Sequence, residues 1–157
     1  MNYKSTRNSK ISVTASQAIA QGIAKDGGLF VPESFPQYSY ADLTNLANCS
    51  YQERAMKILG DFLPEFSQEE LASCVTQAYS EEKFSGNSPA PLVLLQNGSV
   101  NMYLLELWHG PTCAFKDMAL QILPHLLTKS LQKINSPKKA VILVATSGDT
   151  GKAALEG

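Results

Sequence analysis

Apolar residues recur at helical spacing through the first half of the chain. In the segment TASQAIAQGIAKDGG they lie four residues apart on one helical face: Ala15, Ile19 and Ile23. Thr14 and Ser16 are candidates for the N-terminal cap of this helix, because their hydroxyls can accept the free N–H groups of a first turn. Gly27–Gly28 follows the segment and predicts the end of the helix.

Two later segments of the first half also predict helices, namely YQERAMKILGDFL (residues 51–63) and SQEELASCVTQAYS (residues 67–80). In the second, Ser67 and Glu70 have the spacing of a capping box. The segment LFVPESFP (residues 29–36) contains two prolines and predicts extended chain.

The pattern changes after SGNSPAP (residues 85–91), whose turn-forming residues predict a boundary. LVLLQ and VNMYLLEL follow as two strands, and Asn97-Gly98 between them predicts a hairpin. Next come a loop, a helix from about Phe115 to Leu131, the apolar strand AVILVAT (residues 140–146), a glycine turn and a last helix.

Alternating strands and helices of this kind are typical of an open α/β sheet. We therefore predict an α/β fold with a mainly helical domain at residues 1–88 and the beginning of a catalytic α/β domain at residues 89–157. Such a sheet needs several parallel strands, and only one strand–helix–strand unit is present. We interpret the chain as an N-terminal piece of a longer protein, with unpaired apolar surface that favours self-association.

Composition and charge argue against several classes of protein, including nucleic-acid-binding and membrane-spanning proteins. Of the 157 residues, 44% are hydrophobic, 17% are charged and the formal net charge is -1, which indicates a globular domain and disfavours nucleic acid as a partner. No apolar run is long enough for a membrane span, and the polar N-terminus does not resemble a signal peptide. The three cysteines are widely spaced and fit neither disulfides nor a metal site, so we expect a cytoplasmic protein.

Lys116 is the first candidate for chemistry. It lies at the start of a predicted helix, whose positive end disfavours a cation, and it follows the apolar pair Ala114-Phe115. Such surroundings favour the neutral amine, which is a nucleophile and forms Schiff bases with aldehydes such as pyridoxal phosphate. Phe115 could pack against a pyridine ring or belong to the core, and Asp117 is interpreted as a first-turn helix charge. A solvated surface lysine is the alternative reading.

The second candidate is the turn SGDTG (residues 147–151), which follows an apolar strand and opens a helix. Backbone N–H groups at such a place bind carboxylates or phosphates. The alternative is an ordinary helix start capped by Asp149 or Thr150. A nucleotide-binding P-loop is excluded, because Thr146 occupies the position of its leading glycine and Ala153 follows the lysine.

The remaining candidates are weaker. His109 and Cys113 are four residues apart, but two potential ligands do not make a metal site, and we interpret His109 as a hydrogen-bonding loop residue. Ser5, Thr6 and Arg7 form a polar cluster able to bind a phosphate, or belong to a disordered N-terminus.

Four segments together resemble the N-terminal half of the threonine synthase family. In chain order they are YKSTRN (residues 3–8), GIAKDGGLFVPESFP (22–36), ELWHGPTCAFKDMALQ (106–121) and VATSGDTGKAA (144–154). The resemblance implies a fold-type II pyridoxal-phosphate enzyme, related to the tryptophan synthase beta fold, that converts O-phosphohomoserine and water to threonine and phosphate.

The resemblance also implies site residues. Lys116 corresponds to the lysine that binds the cofactor covalently, and Phe115 lies beside the cofactor ring. The implied substrate-carboxylate loop consists of Thr146, Ser147, Gly148, Asp149 and Thr150, and Asp149 also faces the cofactor. The family's cofactor-phosphate loop has no counterpart here, so we expect the piece alone to bind the cofactor poorly and to be inactive. A phospholyase related to the synthase and a non-catalytic interaction module remain as alternatives.

Overall fold

The computed structural model describes residues 1–86 and 88–157, and it divides into two compact units. Unit 1 comprises residues 1–75 and 125–141, and unit 2 comprises residues 76–124 and 142–157. The predicted domain division at residue 88 stays a prediction. Asn87, within the predicted boundary segment, lies outside the described residues.

Unit 1 begins with a small antiparallel sheet. Its strands, in the order β2-β1-β3, are β1 (Asn2–Ser5), β2 (Ser12–Thr14) and β3 (Phe30–Pro32). Tyr3 in the central strand lies opposite Val13 on one side and Pro32 on the other. Of these strands, only β3 falls in a segment that was predicted to be extended. Because β1 includes Ser5, the N-terminal segment forms part of a sheet and is not disordered.

The first helix is shorter than its sequence pattern predicts. Helix α1 (Ala15–Gln21) begins with Thr14 as its cap, in a capping box with Gln17. It ends at Gly22, whose φ of 72° is favourable for glycine, and not at Gly27–Gly28. Ile23 therefore lies beyond the helix and is 60% exposed, so its placement on one helical face with Ala15 and Ile19 was wrong.

Three further helices follow the sheet: α2 (Tyr40–Ala47), α3 (Tyr51–Phe62) and α4 (Gln68–Ala78). The last two confirm the predicted helices, and the Ser67–Glu70 capping box is present, with hydrogen bonds of 2.8 and 3.2 Å. Helix α2 was not predicted. The core of unit 1 lies around α4 and includes Leu63, Phe66, Leu71, Cys74 and Val75, all less than 9% exposed.

Unit 2 contains the predicted hairpin. Strands β4 (Leu92–Asn97) and β5 (Val100–Leu105) pair antiparallel, with Leu92 opposite Leu105. The helix predicted from Phe115 to Leu131 is instead two helices, α5 (Asp117–Leu120) and α6 (Leu123–Lys133), the second of which ends in unit 1. Pro124 has no N–H to continue the hydrogen bonding of α5, which explains the break.

The strand predicted at residues 140–146 is not formed, and this prediction was wrong. Val141, Ile142, Leu143 and Val144 are 79, 57, 92 and 44% exposed. A parallel strand requires neighbouring strands for its backbone hydrogen bonds, and none of the described residues pairs with this segment. The predicted final helix is present as α7 (Asp149–Glu156). The helices and the two small sheets are consistent with the predicted α/β class. Throughout the described residues, every helix is too short or too polar to cross a bilayer.

Candidate functional site

The loop between β5 and α5 carries Lys116, and backbone hydrogen bonds fasten it within unit 2. Its first residue, Glu106, donates its N–H to the carbonyl of Pro91 at 3.0 Å, and the His109 carbonyl accepts from the Ser85 N–H at 3.0 Å. The His109 ring lies 2.7 Å from a Glu106 carboxylate oxygen and stacks on Trp108. His109 is thus a hydrogen-bonding loop residue, as interpreted from the sequence.

The second part of this loop is held by the buried carboxylate of Asp117. Asp117 is 0% exposed, and its two oxygens accept hydrogen bonds from the Thr112 N–H and the Thr112 hydroxyl, both at 2.8 Å. The Cys113 N–H donates to the Gly110 carbonyl at 3.1 Å, and Cys113 has the left-handed φ of 58°. Asp117 is in the first turn of α5 as expected, but its burial was not predicted.

Gly110 is required because Asp117 lies directly against it. A Cβ atom at residue 110 would lie 2.6 Å from the Asp117 Cβ and 2.6 Å from its Oδ2, closer than real Cβ contacts allow. Only glycine therefore permits the carboxylate of Asp117 to reach Thr112 across this turn. We name the three residues Gly110, Thr112 and Asp117 the loop clamp.

Lys116 is the residue immediately before α5, and its side chain is half-buried. Its Nζ lies 4.5 Å from the centroid of the Phe115 ring, which is 62% exposed. Within the described part of the chain, this amine has no hydrogen bond or ion pair. The structure therefore places a lysine amine and an exposed aromatic face side by side at the start of a helix.

The turn before α7 is organised by Thr146. Its hydroxyl accepts hydrogen bonds from the N–H groups of Gly148 at 3.2 Å and Gly151 at 3.0 Å. Gly148 is the cap residue, with φ 149° and ψ -73°, a conformation that favours glycine. Neither Asp149 nor Thr150 caps the helix, so the sequence alternative of an ordinary cap at either residue was wrong. The capping hydroxyl comes from further upstream.

The two candidate loops belong to the same unit, and the helices that follow them are in contact. Helices α5 and α7 pack on each other, and the end of α7 comes so close to the Leu120 carbonyl that a Cβ at Gly157 would collide with it. Ser147 and Asp149 are exposed, and Thr150 is partly exposed. The structure thus places the predicted turn residues and Lys116 in unit 2.

The polar N-terminal cluster has an internal role in unit 1. The Ser5 hydroxyl donates to the Asp26 carboxylate at 2.8 Å, and Arg7 donates to the Asp26 carbonyl at 3.1 Å. The Thr6 hydroxyl accepts from the Leu29 N–H at 3.0 Å. These bonds use the groups that the sequence suggested for phosphate binding.

A family model, a related sequence and a solved structure that match this chain all carry the name threonine synthase. The family model described as the threonine synthase N terminus matches residues 2–79. Threonine synthase of Pseudomonas aeruginosa is 38% identical over 158 residues, covering 100% of this chain and 32% of that protein. The crystal structure of threonine synthase with PLP (pyridoxal phosphate) bound, from Brucella melitensis, matches with a TM-score of 0.87 and 38% identity, over 99% of this chain and 32% of that one.

The chain belongs to the threonine synthase family. It corresponds to the N-terminal portion of these relatives and spans about a third of their length, less than the half expected from its motifs. A mouse protein named threonine synthase-like 1 is also similar, with 41% identity over 145 residues, or 90% of this chain and 18% of that protein. The predicted fold class agrees with this family, whose Brucella structure contains PLP.

Proposed function

We propose that this region is the N-terminal part of a PLP-dependent lyase that converts O-phosphohomoserine and water to threonine and phosphate. The observation that carries the proposal is the position of Lys116. Its amine lies directly before α5, half-buried beside an aromatic ring and without a hydrogen bond or ion pair among the described residues. The similarity to threonine synthases over the whole chain supports the same reaction class.

The residues present fit a cofactor that carries an aldehyde. A lysine amine that is not bound to a carboxylate remains available for covalent bonding, and the Phe115 ring beside it is exposed enough to contact a flat heterocycle. In the turn before α7 the Gly148 and Gly151 N–H groups bond to Thr146, and the other backbone N–H groups at the start of the helix suit an anionic group. When bound, PLP would supply the aldehyde for Lys116 and a ring that withdraws electrons from the substrate.

Each residue then has a defined task. Lys116 would hold the cofactor covalently, and its free amine would move the proton at the substrate α-carbon. The loop from Thr146 to Thr150 would bind the substrate carboxylate, and Asp149 and Phe115 would help to hold the cofactor. Thr146 has a second task, because its hydroxyl accepts the Gly148 and Gly151 N–H groups and so holds the shape of the turn.

We propose in addition that residues 1–157 alone have no synthase activity and bind PLP weakly. The chain spans 32% of the relatives it matches, so most of their fold lies outside the aligned region. Absorbance of bound PLP, measured after dialysis of the 157-residue chain, checks this expectation. A stoichiometric band that survives dialysis would contradict it.

Borohydride trapping on the full-length protein tests the role of Lys116. PLP should become fixed to the peptide that contains Lys116, and Lys116→Ala should abolish both the trapping and the turnover. Lys139→Ala, which removes an exposed lysine of unit 1, is the matched control and should leave both unchanged. Turnover retained by Lys116→Ala, or PLP fixed to another lysine, would refute the assignment.

A phospholyase related to the synthase, which would eliminate phosphate without adding water to give threonine, is the second candidate. Both reactions would use Lys116 in the same way, so the products must separate them. Threonine released by the full-length protein supports the synthase, whereas a keto acid supports the phospholyase. A non-catalytic module would produce neither compound and would not trap PLP.

A further inference from the structure

We propose that Asp117 and Thr112 are positioning residues that set the location of the Lys116 amine. This inference rests on the proposed function, in which Lys116 binds PLP covalently. Within the described residues, the Lys116 amine makes no hydrogen bond or ion pair that could fix it, and its Nζ lies 4.5 Å from the centroid of the Phe115 ring. Its location is therefore determined by the backbone that carries it.

That backbone is held by the residue that follows. Asp117 is fully buried, and both of its carboxylate oxygens are used by Thr112 at 2.8 Å. Because Asp117 is the first residue of α5 and Lys116 precedes it, the clamp fixes the direction in which the chain enters the helix. A carboxylate that accepts two hydrogen bonds in a buried site gives a rigid anchor.

Helix α5 is also held beyond the clamp. The Tyr79 hydroxyl donates to the Met118 carbonyl at 2.7 Å, and the Lys83 amine donates to the Gln121 side-chain oxygen at 2.9 Å. Gln121 is 0% exposed. A four-residue helix cannot be stable by itself, so these side chains make α5 a fixed support for Lys116. The clamp is the part of this support that lies on the loop side of the lysine.

The hydrogen bonds of the loop clamp can be removed by substitutions that keep the size and shape of the side chains. Thr112→Val removes the hydroxyl while it keeps the shape and the N–H group, and Thr112→Ser restores a hydroxyl. Asp117→Asn keeps the shape but replaces one acceptor by a donor, which opposes the Thr112 donors. A displacement of Lys116 of the order of an ångström should lower kcat by about ten- to hundred-fold, whereas KM should change much less if both residues act only through the position of Lys116.

The experiment uses the full-length protein with PLP and has two readouts besides the stability check. One is the kcat and KM pair, and the other is the fraction of PLP fixed to the Lys116 peptide by borohydride. We expect Thr112→Val and Asp117→Asn to lower kcat and the trapped fraction, and Thr112→Ser to recover most of both. Thr44→Val, which removes an exposed hydroxyl in α2 of unit 1, should change neither.

The outcomes separate the two proposals. If the wild-type protein traps no PLP on Lys116, the proposed function fails. If it traps PLP on Lys116 but Thr112→Val matches it in kcat and trapping, the positioning role alone is overturned. Loss of the fold in both clamp variants, seen by circular dichroism, would also overturn it, because the pair would then be structural.

Discussion

The Ser5 hydroxyl lies 2.8 and 2.9 Å from the two carboxylate oxygens of Asp26, and this contact joins strand β1 to the turn at Gly27–Gly28. The Gly28 N–H donates to the same carboxylate at 2.9 Å. A Cβ at Gly28 would collide with the Ser5 hydroxyl, so the glycine allows the approach. Two segments that are separate in sequence, YKSTRN and GIAKDGG, therefore form one structural element of unit 1.

Asp26 should make unit 1 sensitive to acid. Its pKa is lowered from the ordinary 3.8, first by the Gly28 N–H and then by the Ser5 hydroxyl. A folded-state pKa below the unfolded one stabilises the protein above pH 3.8, and this stabilisation is lost as the pH falls through the lowered value. Asp26→Asn should therefore weaken the dependence of the unfolding midpoint on pH below 3.8.

Thermal unfolding at a series of acidic pH values measures this effect. Glu82→Gln, which removes an exposed carboxylate, is the control and should keep the wild-type pH profile. Profiles for Asp26→Asn and the wild type that remain parallel throughout the acidic range would show that the Ser5–Asp26 contact has no linkage to folding.

The core around α4 gives a prediction about packing. Leu71 is 0% exposed, so Leu71→Ala leaves a cavity and should lower the free energy of unfolding by about 2–5 kcal/mol. Leu43→Ala in α2 removes the same atoms from a side chain that is 53% exposed, and should cost no more than about 0.5 kcal/mol. Urea denaturation of both variants measures the difference, and equal losses would be inconsistent with the core described here.

The ionisation of Tyr38 should lower the stability of the protein at alkaline pH. Burial, followed by the hydrogen bond to Asp61 at 2.8 Å, raises its pKa from 10.0 to about 12. Because the folded pKa is above the unfolded one, stability is full below pH 10.0 and falls as the pH rises towards about 12. Asp61→Asn removes the negative charge and should lower this pKa, while burial keeps it above the ordinary value.

Ultraviolet absorbance during a pH titration measures the ionisation of Tyr38, as the difference between the wild type and Tyr38→Phe. The same difference taken in the Asp61→Asn background isolates the effect of the carboxylate. If the two midpoints coincide, Asp61 has no influence on Tyr38.

Local patterns in the sequence were sufficient for most helices and for the hairpin. The Ser67–Glu70 box and the hairpin predicted from Asn97-Gly98 are determined by residues within a few positions, and both are present, although the turn itself is Gly98-Ser99, one residue later than predicted. The strand predicted at residues 140–146 failed because a strand depends on partners that are distant in sequence. Its apolar composition indicated burial but could not show whether those partners are available.

The same distinction between local and distant determinants applies to the candidate site. The motifs around Lys116 and Thr146 could be recognised because they are short and contiguous. The burial of Asp117 could not, because an aspartate in the first turn of a helix is usually exposed. A possible signal was Gly110, since a glycine beside a proline, seven residues before a helical aspartate, permits close approach of that side chain.

Gly110 and Gly60 give a matched pair for the last prediction. Gly110→Ala would place a Cβ 2.6 Å from the Cβ of Asp117, so the loop clamp must shift. We expect a loss of about 1–3 kcal/mol in the free energy of unfolding and a lower fraction of PLP trapped on Lys116 in the full-length protein. Gly60→Ala in α3 meets Leu71 at an ordinary 3.6 Å, and should stabilise the helix by about 0.5–1 kcal/mol. Denaturation curves and borohydride trapping of both variants measure these effects. An alanine at residue 110 that is tolerated like the one at residue 60 would mean that Asp117 does not pack against this turn.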